Sequence, residues 1–355
     1  MLKNFGGSIA FTLVCLALAA AYGWFQTASV PATLAMLWIV VMLSVLEISL
    51  SFDNAVVNAA VLDEMDPVWQ RRFLTWGMVI AVFGMRIVFP VAIVAIASGM
   101  GPIEATRISL TEPARYEAIV SSAHVGIAGF GGAFLAMVGL SFFFDGEKDV
   151  HWITWIETRL ARFADIKAAE IAILLCALYG ISLLLPAEEA LTFLGAGALG
   201  IVTFIAVDAI GTLLEMREEA QKAAGMVVRS GLAGFLYLNV LDASFSFDGV
   251  IGAFALSNNM VVIALGLSIG AMFVRSLTLL LVKQGTLAEY RYLEHGAFWA
   301  IIALAAIMLI SAYVEIPETV TGLIGAVLIG LSLWWSVRHN RALPDGEIED
   351  ALRAE

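Results

Sequence analysis

Four acidic side chains sit where acids are costly. Glu47 and Asp53 fall near the middle of one long apolar stretch, and Asp242 and Asp248 near the middle of another. A carboxylate at the centre of a hydrocarbon layer costs about 2.5–3.5 kcal/mol on insertion scales, so four of them need a compensating use. Their neighbours offer only more oxygen: the amide of Asn54 and the hydroxyls of Ser49, Ser51, Ser244 and Ser246. Oxygen-only ligands suit Mg²⁺, Ca²⁺ or Mn²⁺ and disfavour soft, thiolate-bound metals. Four carboxylates could neutralise one or two divalent ions, or one ion and counter-transported protons. On a straight helix Glu47, Ser51 and Asn54 share a face, as do Asp242 and Ser246. Asp53 and Asp248 then point about 120° away, at roughly 100° per residue. Local unwinding, with the serines satisfying freed backbone groups, brings both acids of each stretch to one centre.

Two arginines, Arg86 and Arg275, also lie within apolar stretches. Intramembrane ions usually have partners, so the alternative use of the acids is to pair with these arginines and hold the bundle together. Two arginines cannot neutralise four acids, and the excess favours a cation site. For Arg86 and Arg275 themselves, structural pairing or gating is the better reading. Asp208 is either an accessory ligand or proton relay, or a hydrogen-bonded interfacial acid. His124 is either an ion ligand at an outer entrance or a structural histidine. Gly126, Gly129, Gly131 and Gly132 fit close helix packing rather than a phosphate cradle. No P-loop and no His-Glu-x-x-His pair occurs, so ATPase and zinc-protease chemistry lack their motifs. Cys15 and Cys176 lie inside apolar runs and fit neither a disulfide framework nor a thiolate site.

The two acidic stretches are copies of one another. Val45–Asn54 aligns with Val240–Gly249 with six identical positions and one exchange of acid for acid. Gly77 and Arg86 follow the first copy nine residues apart, and Gly266 and Arg275 follow the second at the same spacing. Such agreement points to duplication.

The elements that must carry these residues are membrane spans. Of 355 residues, 61% are hydrophobic and 14% charged, far from the usage of soluble domains. No basic cluster suggests a nucleic-acid partner, and nothing implies an organic cofactor. About ten stretches approach the roughly 20 residues that a crossing needs, near 7–24, 33–62, 73–98, 119–144, 169–185, 190–214, 230–256, 260–282, 296–312 and 318–337. The first could instead be a cleaved signal peptide. With both termini inside, 15 of the 19 Lys and Arg residues fall on cytoplasmic segments, as the positive-inside rule asks. The chain therefore reads as an all-α, polytopic membrane helical bundle contacting lipid, with both termini cytoplasmic in what the resemblance below makes a bacterial inner membrane. Its parts are 1–32 (first helix and link), 33–144 (first copy), 145–229 (connecting region with an interfacial stretch and two spans), 230–337 (second copy) and 338–355 (a tail, acidic from residue 345). Because the copies begin on spans two and seven, five spans apart, they run in opposite directions, as inverted-topology repeats do.

At Glu47-x-x-Leu50-Ser51-x-Asp53-Asn54 and Asp242-x-x-Phe245-Ser246-x-Asp248 the chain resembles the TerC family of integral membrane proteins. That family is associated with tellurite resistance and manganese export and belongs to the wider lysine exporter superfamily, and the resemblance implies a core of two inverted three-helix repeats. The resemblance implies that Glu47, Asp53, Asn54, Asp242 and Asp248 line a metal site whose substrate is a divalent cation. Gly249 departs from the serine usual at that position and removes one hydroxyl ligand. The leading expectation is a secondary transporter exporting Mn²⁺, or Ca²⁺ or Mg²⁺, with protons as a chemically available counter-ion. The rival is a non-transporting membrane factor that assists insertion or metallation of other proteins, or a component of tellurite stress resistance. An intramembrane aspartyl hydrolase ranks last, since no Gly-x-Gly-Asp occurs.

Overall fold

A computed structural model of the chain describes residues 2–63, 65–77, 79–146, 148, 150–162, 169–223, 231–254, 256–257, 259–284, 289–314 and 316–342. For some helical residues, Ser246 and Asp248 among them, the description covers the backbone alone. The acidic part of the expected tail lies outside the described residues, the last of which is 342. Among those described, all regular structure is helical.

Each of the ten expected stretches carries helix. These are α1 (Leu2–Thr27), α2 (Val30–Leu50) with α3 (Phe52–Asp63), α4 (Pro67–Arg72) continuing to α5 (Phe89–Ser98), α8 (His124–Phe143), α10 (Ala169–Ser182), α11 (Ala187–Ala223), α12 (Leu232–Phe254), α13 (Met260–Gln284), α14 (Leu293–Ser311) and α15 (Glu318–Ala342). Among the described residues seven helices are long and apolar enough to cross a membrane, and Ala169–Ser182 and Leu232–Phe245 are shorter apolar helices. The protein is an all-α polytopic bundle.

Three local features depart from plain spans. First, α6 (Pro102–Thr111) and α7 (Pro113–Ser122) fill a region with no apolar signature. Each opens on a proline, whose fixed φ and missing N–H suit a first helical turn. Gly99, at φ 67°, ends α5 in the left-handed conformation that glycine adopts without penalty. Second, the third stretch widens between α4 and α5 into two π-helical segments, Phe73–Gly77 and Ile80–Val88. Pro90 has no N–H for the carbonyl of Arg86, four residues back, so a regular α-ladder cannot run through this point. Third, α9 (Thr154–Ala161) is a short helix between the long ones.

The helices gather into two compact units that interleave along the sequence. Unit 1 comprises residues 1–51, 66–124 and 218–279; unit 2 comprises 52–65, 125–217 and 280–355. In unit 1, Ser8 on α1 donates to the Met272 carbonyl of α13 at 2.7 Å and meets Ser276 Oγ at 2.6 Å. Cys15, Val40, Leu43, Ile263 and Leu267 form a shared apolar core there. In unit 2, glycines of α8 admit close neighbours. A Cβ on Gly129 would lie 2.7 Å from the Phe193 carbonyl of α11, and one on Gly132 would lie 2.8 Å from Leu309 of α14. These glycines serve helix packing, the use their sequence context suggested. Cys15 and Cys176 are free thiols.

Candidate functional site

In unit 1 the two copies of the acidic motif touch. Helix α2, from the first copy, packs on α13 of the second where small residues let backbones approach. A Cβ on Gly266 would lie 3.1 Å from the Val40 carbonyl, and one on Gly270 would lie 3.0 Å from the Ser44 carbonyl and collide with the Glu47 side chain. Ser44 Oγ spans this crossing, donating to Val40 O at 2.7 Å and Gly266 O at 3.1 Å. Gly270→Val should therefore force α2 from α13, at a cost of about 1–3 kcal/mol or more for overpacking. Thermal unfolding in detergent measures it, and an unchanged midpoint would show that the crossing is looser than described.

Glu47 ends up at this crossing, 1% exposed. Its Oε1 accepts from Ser51 Oγ at 3.0 Å and from Arg86 Nη2 in a close ion pair. Its Oε2 faces α12: a Cβ on Gly249 would lie 2.8 Å away. The glycine that distinguishes the second copy of the motif thus leaves room for the carboxylate of the first.

Arg86 is itself buried, on the π-helical segment Ile80–Val88. Its Nη1 donates to the Ala81 carbonyl at 2.6 Å, five residues back, the spacing that a π-turn stacks. Its Nε is buried without a hydrogen-bond partner among the described residues. Arg275 behaves differently, with Nε donating to the Leu74 carbonyl at 2.7 Å. One intramembrane arginine therefore neutralises an acid, while the other satisfies backbone beside the first π-helical segment.

The helix does break between the two acids of the first copy. α2 ends at Leu50, Ser51 adopts φ −106° and ψ 17°, and its N–H still reaches the Glu47 carbonyl at 3.0 Å. The second copy does not break, since α12 runs unbroken from Leu232 to Phe254 through Asp242 and Asp248. Asp242 is partly buried, and the Asp248 side chain lies outside the described residues. Ser49 and Ser244 donate to Val45 O and Val240 O four residues back in their own helices, so neither supports unwound backbone.

Unit 2 holds the remaining acid of the first copy. α3 buries Asp53, Asn54 and Asn58 among Ala55, Val56, Val57, Ala59 and Leu62, and packs on α14 and α15. Asp53 Oδ1 accepts from the Asn54 N–H at 2.9 Å, the arrangement expected of an acid in a helix's first turn. His124 is partly buried at the start of α8, and Asp208 is exposed on α11. Among the described residues no three His, Cys, Asp or Glu side chains gather as a metal site, a statement that does not reach the Asp248 side chain.

Sequence reasoning missed a second buried charge. Glu157 of α9, 1% exposed, accepts from the N–H groups of Trp152 and Ile153 at 2.9 and 3.0 Å and from Trp299 Nε1 of α14 at 2.8 Å. His295 Nδ1 lies 3.0 Å from Oε2, and His151 Nδ1 3.7 Å from the same oxygen. Burial by itself raises this carboxyl, but the hydrogen bonds and the His295 charge outweigh it and hold the group at about 2. Beside it, burial lowers the Lys148 ammonium to about 8 against the pull of Glu294, Asp145 and Glu157. The only local signal was a glutamate three residues into α9.

Fold and site define an integral membrane protein with a buried acid–arginine pair where two copies of one motif meet. More specifically, the chain belongs to the DUF475 family, described as a protein of unknown function, which it matches over residues 52–343. No curated protein and no solved structure matches it.

Proposed function

We propose that the chain is a TerC-like secondary transporter that exports a hard divalent cation, Mn²⁺ ahead of Ca²⁺ or Mg²⁺, by alternating access across a bacterial inner membrane, with both termini cytoplasmic. The observation that carries this reading is Glu47. A carboxylate of the first copy is buried against Gly249 and Gly270 of the second, and the charge beside it is Arg86 on a π-helical segment. π-turns inside α-helices are frequent at functional sites. That guanidinium, its Nε–H unbonded among the described residues, stands where a metal ion would neutralise the same oxygens. Cation loading then requires Arg86 to leave Glu47, with Asp242 and Asp248 adding oxygens; that Asp53 and Asn54 serve the same ion rests on the resemblance of the motif alone.

The sealed Glu47–Arg86 pair also favours a second reading: the acids hold the bundle together, and the protein assists insertion or metallation of other proteins, or tellurite resistance, without conducting ions. Reconstituted flux separates the two. Proteoliposomes should carry Mn²⁺, tested beside Ca²⁺, Mg²⁺ and Zn²⁺ with and without a pH gradient. Asp53→Asn, and Glu47→Gln combined with Arg86→Gln so that no unpaired charge remains, should bring flux to the level of empty liposomes with helix content retained. Wild-type protein that moves none of the four ions rejects transport; unchanged flux in either variant removes that residue from the path.

A further inference from the structure

We infer that the face of unit 2 formed by α9 and the C-terminal end of α15 binds the phosphodiester of an anionic membrane lipid. One stripe of α15 carries the argument. Val320, Leu323, Val327, Leu331 and Trp334 are 41%, 64%, 55%, 41% and 52% exposed, and their spacings of three, four, four and three place them on one helix face. The same face continues to Arg338 and Arg341, both exposed. Read along the helix at about 1.5 Å per residue, the stripe is apolar for about 16 Å, then aromatic, then cationic. That is the profile of acyl chain, carbonyl level and phosphate, since tryptophan favours the headgroup boundary and arginine reaches beyond it.

Helix α9 supplies the second wall. The Trp152 and Trp335 rings meet nearly edge to face with centroids 6.4 Å apart, which sets α9 beside the end of α15. Glu157 fixes it there through Trp299 of α14. Trp155 is left 67% exposed, with the Arg159 guanidinium 4.2 Å from its ring centroid. Arg338 sits over Trp334 at 5.7 Å. Stacking on an indole orients the guanidinium and leaves its in-plane N–H edge free, the edge that grips a phosphate with two hydrogen bonds.

Charge selects an anionic lipid over a zwitterionic one. Arg159, Arg162, Arg338 and Arg341 are exposed, whereas the one carboxylate of α9, Glu157, is buried. The one acidic residue of α15, Glu318, is the first of the helix, and the arginines fall in its last turns. Asp145 and Glu294 act on Lys148.

The test uses the full chain in non-ionic detergent, with phosphatidylglycerol or phosphatidylcholine added in mixed micelles and retained lipid counted by native mass spectrometry. Phosphatidylglycerol should be retained preferentially, and less so at high salt. Each arginine contributes up to about a fivefold preference, so R159Q/R338Q/R341Q should lose at least about tenfold of it with helix content unchanged. R159K/R338K/R341K should fall between the wild type and the glutamine variant, because it keeps the charge and loses the two-bond grip. Should the triple glutamine variant fail to fold, R159Q and R341Q decide singly. Equal retention of the two lipids by the wild type, or an undiminished preference in the glutamine variants, overturns the assignment.

Discussion

The Arg86→Gln variant is expected to lose about 3–5 kcal/mol of stability, the cost of leaving one member of a buried ion pair without its partner. Glu47 is 1% exposed and Arg86 6%, so water cannot replace the missing charge. Ser51 Oγ supplies only one neutral hydrogen bond to Oε1. Glu47→Gln alone should cost a similar amount, because Arg86 would lose its counter-charge and keep neutral acceptors such as Ala81 O in its place. Removing both charges together in Glu47→Gln/Arg86→Gln should cost much less than the sum of the singles, a coupling that a double-mutant cycle isolates. Unfolding in mixed detergent micelles measures all three variants. Additive losses would mean that the two residues do not neutralise each other in the folded protein. The same variants sharpen the functional question: a double variant that is stable yet transports nothing assigns the pair to the ion path, and one that is stable and still transports assigns it to the scaffold.

The sequence made the helical class and the acidic copies plain because both depend on local composition. Apolar runs of span length have few alternatives in a chain that is 61% hydrophobic, and all ten expected stretches are helical. What depended on distant contacts was not legible. Helical periodicity allowed both motif copies to unwind; only the first breaks, at Ser51. Spacing presented Arg86 and Arg275 as equivalents, yet one meets Glu47 and the other a backbone carbonyl. Gly249 read as a lost ligand, and its close approach to Glu47 supplies a steric reason for it. The π-helical segments have no periodic signature over so few residues, and Pro90 is their one local trace. Glu157 was hidden for the same reason, since Trp299 is 142 positions away. Segment boundaries drawn along the chain likewise cannot express two units that each take three separate pieces of it.

Glu157 gives the second large effect, and its sign follows from the protonation it resists. The carboxyl is held at about 2 in the folded protein against 4.5 as its ordinary value. A group depressed by folding stabilises the protein above its unfolded value and loses that contribution as pH falls toward the folded one. Wild-type stability should therefore fall between about pH 4.5 and pH 2. The contribution at stake is on the order of 3 kcal/mol, at about 1.4 kcal/mol per pH unit between the two values. Glu157→Gln places an amide N–H₂ among donors, leaving Trp299 Nε1 or the Trp152 and Ile153 amides without an acceptor. Each buried unsatisfied group costs about 1–3 kcal/mol. The variant should be destabilised at pH 7 by a few kcal/mol, and the part of the acid-side slope between pH 4.5 and 2 that belongs to this carboxyl should vanish. Glu157→Ala should do the same and also release α9, which a rise in Trp152 and Trp155 accessibility to a soluble quencher would report. His295 and His151 lie against the same carboxylate oxygen and the Lys148 ammonium feels the carboxylate's charge, so His295→Gln, which removes the imidazole charge and keeps a polar side chain, tests how much of the depression is electrostatic. An acid-side profile in Glu157→Gln that matches the wild type would place the loss of stability on other carboxylates and leave α9 held by its tryptophans alone.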